Sequence, residues 1–81
     1  MQLQAEFTTE PFREADPPQH ALRARDIAIA AGLEVEFGPF GTTVRGERDQ
    51  VLDAVGAIAR AAFDGGASRI TMQLERAGGE R

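Results

Sequence analysis

The stretch "FGPFGTTVRGERDQVL", residues 37–52, decides how the rest of the chain is interpreted, because it joins a turn-rich segment to an amphipathic one. Gly41 and Gly46 have the spacing of a nucleotide-binding P-loop, but a P-loop continues with Lys and then Ser or Thr. Glu47 and Arg48 stand at those two positions, and a carboxylate there would repel phosphate. We therefore interpret the stretch as a hairpin that leads into a helix.

Alternation of apolar and polar residues predicts four strands with one buried face each. They are "LQAEFT" at 3–8, "LEVEF" at 33–37, "TTVRG" at 42–46 and "SRITMQLE" at 68–75.

The segment 15–32 predicts a first helix between strands one and two. Asp16 or Pro17 is expected as its N-cap, Pro18 suits the first turn, and Gly32 suits the C-terminal stop. One stripe of small residues should pack on the sheet: Ala21, Ala24, Ile27, Ala28 and Ala31. A second apolar pair, Leu22 and Ile29, lies well round the helix and is either an interface or a sign of an irregular helix end.

A second helix follows the third strand, with Asp49 near its start and Gly65-Gly66 at its end. Its predicted apolar face is Val51, Val55, Ile58 and Ala62, flanked by Leu52, Ala59 and Phe63. The resulting β-α-β-β-α-β order predicts an α+β, ferredoxin-like sandwich with a four-stranded antiparallel sheet and both helices on one face. Residues 1–76 are expected to form this single domain, and residues 77–81 a flexible C-terminal tail.

Composition narrows the function. The 81 residues include no Cys, Lys, Tyr or Trp and one His, which removes thiolate, lysine and tyrosine chemistry. The net charge of -4 argues against a basic surface that binds nucleic acid. The N-terminus lacks the features of a signal peptide, and no apolar run is long enough for a membrane span. We expect a cytoplasmic, non-enzymatic protein with no cofactor, no nucleic-acid partner and no membrane partner.

The single histidine, His20, falls in the first turn of helix one. A zinc site would require several Cys, His or carboxylate ligands around it, and the sequence offers no obvious set. We expect a surface histidine and no metal site.

The outward face of the sheet is polar: Gln4, Glu6, Thr8, Thr43, Arg45, Arg69, Thr71, Gln73 and Glu75. Glu6 and Arg45 are expected to be cross-strand neighbours. This face is either an ordinary solvated surface with ion pairs, or a surface for self-association or ligand contact. It lacks the stacking aromatics of RNA-binding modules with this shape. Metal-chaperone versions of the fold need a Cys-x-x-Cys after strand one, which is also missing.

Four segments, "AEF" at 5–7, "EP" at 10–11, "GLEVEFGPFGTTVRGERDQVLDAV" at 32–55 and "GGASRITMQLE" at 65–75, together resemble the small YkoF-like thiamine-binding family. The resemblance covers nearly the whole chain. Its most specific part is the turn at 39–42 with Gly46 and Asp49. Two departures affect the expected ligand more than the fold: Phe40 replaces the usual Met, and Arg45 stands where Glu often precedes the glycine.

The resemblance implies a cytoplasmic, ferredoxin-like homodimer or homotetramer that binds thiamine or its hydroxymethylpyrimidine part without a known reaction. Such a ligand needs acceptors for an amino group, donors for ring nitrogens, and a carboxylate or aromatic face near a cation. The candidate ligand-binding residues are Glu6, Thr8, Phe40, Gly41, Thr42 and Thr43. The alternative is a structural or regulatory oligomerisation domain with no small-molecule ligand.

Overall fold

The computed structural model of the chain describes residues 1–11, 17–38 and 41–78. These form β1 (Gln2–Glu10), α1 (Gln19–Ala30), β2 (Glu34–Phe37), β3 (Thr42–Glu47), α2 (Arg48–Asp64) and β4 (Arg69–Arg76). The predicted βαββαβ order and the ferredoxin-like α+β class are confirmed.

The four strands form one antiparallel sheet in the order β2-β3-β1-β4, so β1 and β3 are central as predicted. The stretch from 37 to 52 contains the expected hairpin, in which Phe37 of β2 pairs with Thr42 of β3. The Gly38 N–H donates to the Gly41 carbonyl at 2.9 Å across the turn. The chain enters α2 directly from β3, with Glu47 as the extended N-cap residue.

The core lies between the sheet and the two helices, because the odd-numbered residues of β1 all face the helices. It consists of Leu3, Ala5, Phe7, Ala24, Ala28, Leu33, Val44, Val51, Ala54, Ile58 and Ala62. Several of these side chains are alanines, so the two layers can approach closely while each contact buries little area.

Helix α2 is rotated slightly from the predicted orientation. Val51, Ile58 and Ala62 are buried as expected, but Ala54 joins them and Val55 is only half-buried. Positions 51, 54, 58 and 62 recur every three or four residues, which is the stripe that a straight helix presents to a sheet. The predicted flanks Leu52 and Phe63 are consequently exposed, at 46% and 52%.

Helix α1 begins later than the sequence suggested. Pro18, expected in the first turn, is the N-cap residue with ψ 161°, and its carbonyl accepts from the N–H groups of Ala21 and Leu22. Pro17 lies before the cap, and Asp16 falls outside the described residues. The predicted stop at Gly32 is confirmed: its φ is 81°, and its N–H donates to the Ile29 carbonyl at 3.0 Å.

The prediction of a surface histidine is wrong, because His20 is 4% exposed. Its Nε2 lies 3.1 Å from the Pro11 carbonyl, which can only accept, so Nε2–H is the donor. In the neutral ring, Nδ1 then accepts from the Thr9 hydroxyl at 2.6 Å. A Cβ on Gly65 would lie 2.8 Å from His20 Cα, which shows how closely the end of α2 approaches the start of α1. The histidine therefore connects α1 to the end of β1.

At the C-terminus, Ala77 is buried, and its N–H donates to the Gln2 carbonyl at 3.0 Å. Ala77 thus continues from β4 beside β1, while residues 79–81 of the predicted tail lie outside the described residues. No helix in the described part of the chain has the length and apolar character needed to cross a membrane.

The core assignment predicts that Ile58→Ala lowers the free energy of unfolding by about 2–5 kcal/mol, since Ile58 is fully buried at the centre of the α2 stripe. Leu52→Ala, on the same helix and 46% exposed, is the matched control and should change it by about 0.5 kcal/mol or less. Urea denaturation of the two variants measures the difference. Equal midpoints would contradict the orientation of α2.

Candidate functional site

The sheet face opposite the helices is covered by polar side chains that the strand register places in rows. The first row is Glu34, Arg45, Gln4 and Glu75; the second is Glu36, Thr43, Glu6 and Gln73; the third includes Thr8 and Thr71. We call these three rows the open face. The first two rows cross the strands in the order β2, β3, β1 and β4, and the third joins β1 to β4.

The expected neighbours Glu6 and Arg45 are not paired. The register sets Arg45 opposite Gln4, one row away from Glu6. The Arg45 guanidinium donates to the side-chain oxygen of Gln4, at 3.2 Å from Nε, and to the Glu34 carboxylate at 3.5 Å from Nη1. The prediction that Glu6 and Arg45 are cross-strand neighbours is therefore wrong, because strand patterns alone did not fix the register of β1 against β3.

A pocket of about 410 Å³ opens on the second and third rows. Its lining residues are Glu6, Phe7, Thr8, Glu36, Gly38, Gly41, Thr43, Thr71 and Gln73. Ligand pockets of proteins have volumes of about 300–1,000 Å³, so this one suits a small molecule. Most of the lining side chains end in a carboxylate, hydroxyl or amide, so the pocket offers several hydrogen-bonding groups to a ligand.

The β2–β3 hairpin forms one wall of the pocket, since Gly38 and Gly41 both line it. A Cβ on Gly41 would lie 3.2 Å from both the Phe7 carbonyl oxygen and Thr8 Cγ2, tighter than ordinary contact. Glycine at this position allows the hairpin to lie directly against β1. On the helix side, the Arg25 guanidinium of α1 lies 5.2 Å from the ring centroid of Phe37, just before the turn.

The structure brings four of the predicted site residues together, because Glu6, Thr8, Gly41 and Thr43 all line the pocket. Thr42 does not join them. It is 4% exposed, and its cross-strand partners are Phe7 and Phe37, which places it on the helix side of the sheet. Phe40 lies outside the described residues.

The prediction of site residues missed Phe7, Glu36, Gly38, Thr71 and Gln73. A signal for three of them was present, since Glu36, Thr71 and Gln73 occupy outward positions in strands with clear alternation. What the sequence did not give was the register of β2 against β3, which brings Glu36 beside Thr43. Glu36 matters most, because it adds a second carboxylate to the pocket.

The charges around the pocket are unequally compensated. Three carboxylates on the same side of the sheet have cationic partners: Glu34 has Arg45 at 3.5 Å, Glu10 has Arg69 at 3.8 Å, and Glu47 has the N-terminal ammonium at 3.6 Å. Within residues 1–11, 17–38 and 41–78, neither Glu6 nor Glu36 forms an ion pair. On this side of the sheet, a positively charged ligand would thus have its most favourable electrostatic interaction in the pocket, with Glu6 and Glu36.

The described residues contain no group of three His, Cys, Asp or Glu side chains placed to hold a metal ion. The geometry of the pocket instead suits an organic ligand that donates hydrogen bonds. Its carboxylates are acceptors, the three threonine hydroxyls both donate and accept, and the Gln73 amide does both.

A family model described as "Thiamine-binding protein" matches residues 5–77. The chain belongs to the thiamine-binding protein family. The match spans all six elements, and the resemblance noted from the sequence to a thiamine-binding family is confirmed. Among curated protein sequences, none matches the chain.

Solved structures agree with this membership. A Bacillus cereus protein described as a domain of unknown function, DUF77, is 26% identical with a TM-score of 0.67, covering 93% of this chain and 73% of its own. A Thermotoga maritima protein, provisionally named a thiamine biosynthesis/salvage protein, is 28% identical with a TM-score of 0.64, covering 93% and 81%. A hypothetical protein from Methanocaldococcus jannaschii, 19% identical with a TM-score of 0.71 over 98% and 81%, shares the fold.

Proposed function

We propose that this member of the thiamine-binding protein family binds thiamine or a related hydroxymethylpyrimidine in the pocket on the open face, without catalysing a reaction. One observation carries the proposal: Glu6 and Glu36 lie in the same pocket with hydroxyl groups between and beside them, and neither has a cationic partner in the described chain. The resemblance to the family is the support for a cytoplasmic location.

The chemistry of the ligand matches that of the lining. An aminopyrimidine offers an N–H₂ donor and ring nitrogens that accept, and thiamine adds a positively charged thiazolium ring. The Glu6 carboxylate accepts from the amino group, while the Thr43 hydroxyl beside it is placed to donate to a ring nitrogen. The second carboxylate, Glu36, balances the cation from the other side of Thr43.

Binding without chemistry is supported by the groups that surround the pocket. Nucleophilic catalysis by a hydroxyl group requires an adjacent general base, which is commonly oriented by a third group. The described lining offers threonine hydroxyls and carboxylates with no imidazole, since His20 is buried between α1 and the end of β1. The lining residues therefore act as hydrogen-bonding partners.

The proposal predicts that thiamine or hydroxymethylpyrimidine stabilises the protein in a thermal-shift assay. A ligand at 100 times its dissociation constant stabilises the folded state by about 2.7 kcal/mol. In a domain of this size that amount raises the melting temperature by roughly 10 °C or more. A sodium chloride series at matched ionic strength is the control. No shift with either compound at millimolar concentration would refute the proposed function.

Glu6→Gln is expected to weaken binding of thiamine about 10- to 150-fold, because it removes a charge-assisted hydrogen bond worth about 1.5–3 kcal/mol. The substitution keeps the size of the side chain and leaves Arg45 with its partners Gln4 and Glu34. Calorimetric titration measures the change in affinity.

Arg45→Ala is the matched control for Glu6→Gln, since Arg45 lies on the open face in the adjacent row and does not line the pocket. It should leave affinity within a few-fold of the parent. Unchanged affinity in Glu6→Gln would remove Glu6 from the site, and the same loss in both variants would mean a general electrostatic effect of the face.

The proposal includes assembly into a homodimer or homotetramer. Large apolar side chains are exposed on both helices: Ile29 at 55%, Leu52 at 46% and Phe63 at 52%. Ile29 belongs to the apolar pair that the sequence set apart on α1. The sheet also ends in two outer strands, β2 and β4, whose free edges can pair with another strand.

Sedimentation at micromolar concentration is expected to show a dimer or tetramer. The same surfaces favour the second candidate function, an oligomerisation domain without a ligand, which predicts the same sedimentation but no thermal shift with thiamine. A monomer at these concentrations would contradict both the assembly and the second candidate.

A further inference from the structure

The two carboxylates of the pocket stand on opposite sides of one residue. Thr43 of β3 pairs with Glu6 of β1 on one side and with Glu36 of β2 on the other. Neighbouring strands lie about 4.8 Å apart, so the Cα atoms of Glu6 and Glu36 are separated by about 10 Å. A ring system lying over Thr43 would have one carboxylate at each edge.

The arginines of this side of the sheet do not offset these two charges locally. Arg45 lies one row away and binds Gln4 and Glu34, and Arg69 lies at the far end of β4 beside Glu10. The described lining of the pocket therefore has two carboxylates and no cationic side chain. A ligand is exposed to the sum of both charges.

The size of the pocket makes the total charge of a ligand important. A volume of 410 Å³ equals a sphere about 9 Å across, close to the Debye length of about 8 Å at physiological ionic strength. A phosphate ester carries a charge of about −1.5 to −2 at neutral pH. On a ligand this small, salt cannot fully screen that charge from Glu6 and Glu36. Repulsion of this kind is a standard means of rejecting a closely related compound.

We propose that the pocket selects ligands by charge: it takes the positively charged, unphosphorylated compound and rejects its phosphate esters, with Glu36 as the residue that, together with Glu6, determines this specificity. The inference rests on the proposed function, which supplies the class of ligand. It goes further by stating which chemical form of that ligand is bound. The protein would therefore bind the product of a dephosphorylation step or a compound not yet phosphorylated.

Calorimetric titrations with thiamine, thiamine monophosphate and thiamine diphosphate, in one buffer at physiological ionic strength, test the inference. The monophosphate should bind at least about 10-fold more weakly than thiamine, and the diphosphate more weakly still. Raising the salt concentration should reduce the difference in affinity between thiamine and its phosphate esters, because screening weakens both the attraction and the repulsion.

Glu36→Gln should bring the affinities for thiamine and its monophosphate closer together. The affinity for thiamine should fall, and the affinity for the monophosphate should fall less or rise. The control is Glu34→Gln, which changes a carboxylate on the same strand and the same face, one row outside the pocket and already paired with Arg45. Glu34→Gln should leave the ratio of the two affinities within about two-fold of the parent.

Each outcome separates this inference from the function on which it rests. Equal affinity for thiamine and its monophosphate would overturn charge selection while leaving thiamine binding intact. The role of Glu36 would be overturned if Glu36→Gln had the same ratio of affinities for thiamine and its monophosphate as the parent. It would also be overturned if Glu34→Gln changed that ratio as much as Glu36→Gln does. If none of the three compounds binds and none shifts the melting temperature, the proposed function itself fails and the inference falls with it.

Discussion

The antiparallel register of β3 against both of its neighbours is the constraint on which the site depends. Because Thr43 pairs with Glu6 and with Glu36, the register alone places two carboxylates on either side of one hydroxyl. A slip of one residue would move the polar set to the helix side and expose the apolar set. The core prevents such a slip, since Val44, the next residue along β3, is fully buried. The packing of the hydrophobic face thus determines the geometry of the polar face.

The hairpin between β2 and β3 links the fold to the site through its glycines. Gly41 lies so close to the Phe7 carbonyl that a side chain would push the turn away from β1. On the inner face, a Cβ at Gly46 would lie 2.8 Å from Leu33 Cδ2, so a larger residue there would require the Leu33 side chain to shift. Gly41 precedes Thr43 in the chain and Gly46 follows it. The close contact of Gly41 is on the side of the open face, and that of Gly46 is on the helix side. Of the two, Gly41 is the one that lets the hairpin lie against β1 beside the pocket.

The features that the sequence predicted are those set by local pattern. Strand alternation identified all four strands and the outward position of Glu6, and glycine marked the end of α1 at Gly32. The misses are long-range: the pairing of Arg45 with Gln4, and the place of Glu36 in the pocket, both depend on register between strands. His20 belongs to the same class. Its partners lie nine and eleven residues away, so a polar side chain next to prolines resembled a surface residue until the chain folded over it.

The contacts of Arg45 explain how a basic residue can stand on the open face without changing the character of the pocket. Its guanidinium is held between Gln4 and Glu34, both in the first row of the open face. Glu34 and Glu36 are two residues apart on β2, so both carboxylates lie on the open face. Arg45 neutralises Glu34, the one outside the pocket. An exposed ion pair of this kind contributes little to stability. Its effect is spatial: Glu34 is compensated, whereas Glu6 and Glu36 in the pocket, and Glu75 at the other end of the first row, form no ion pair among the described residues.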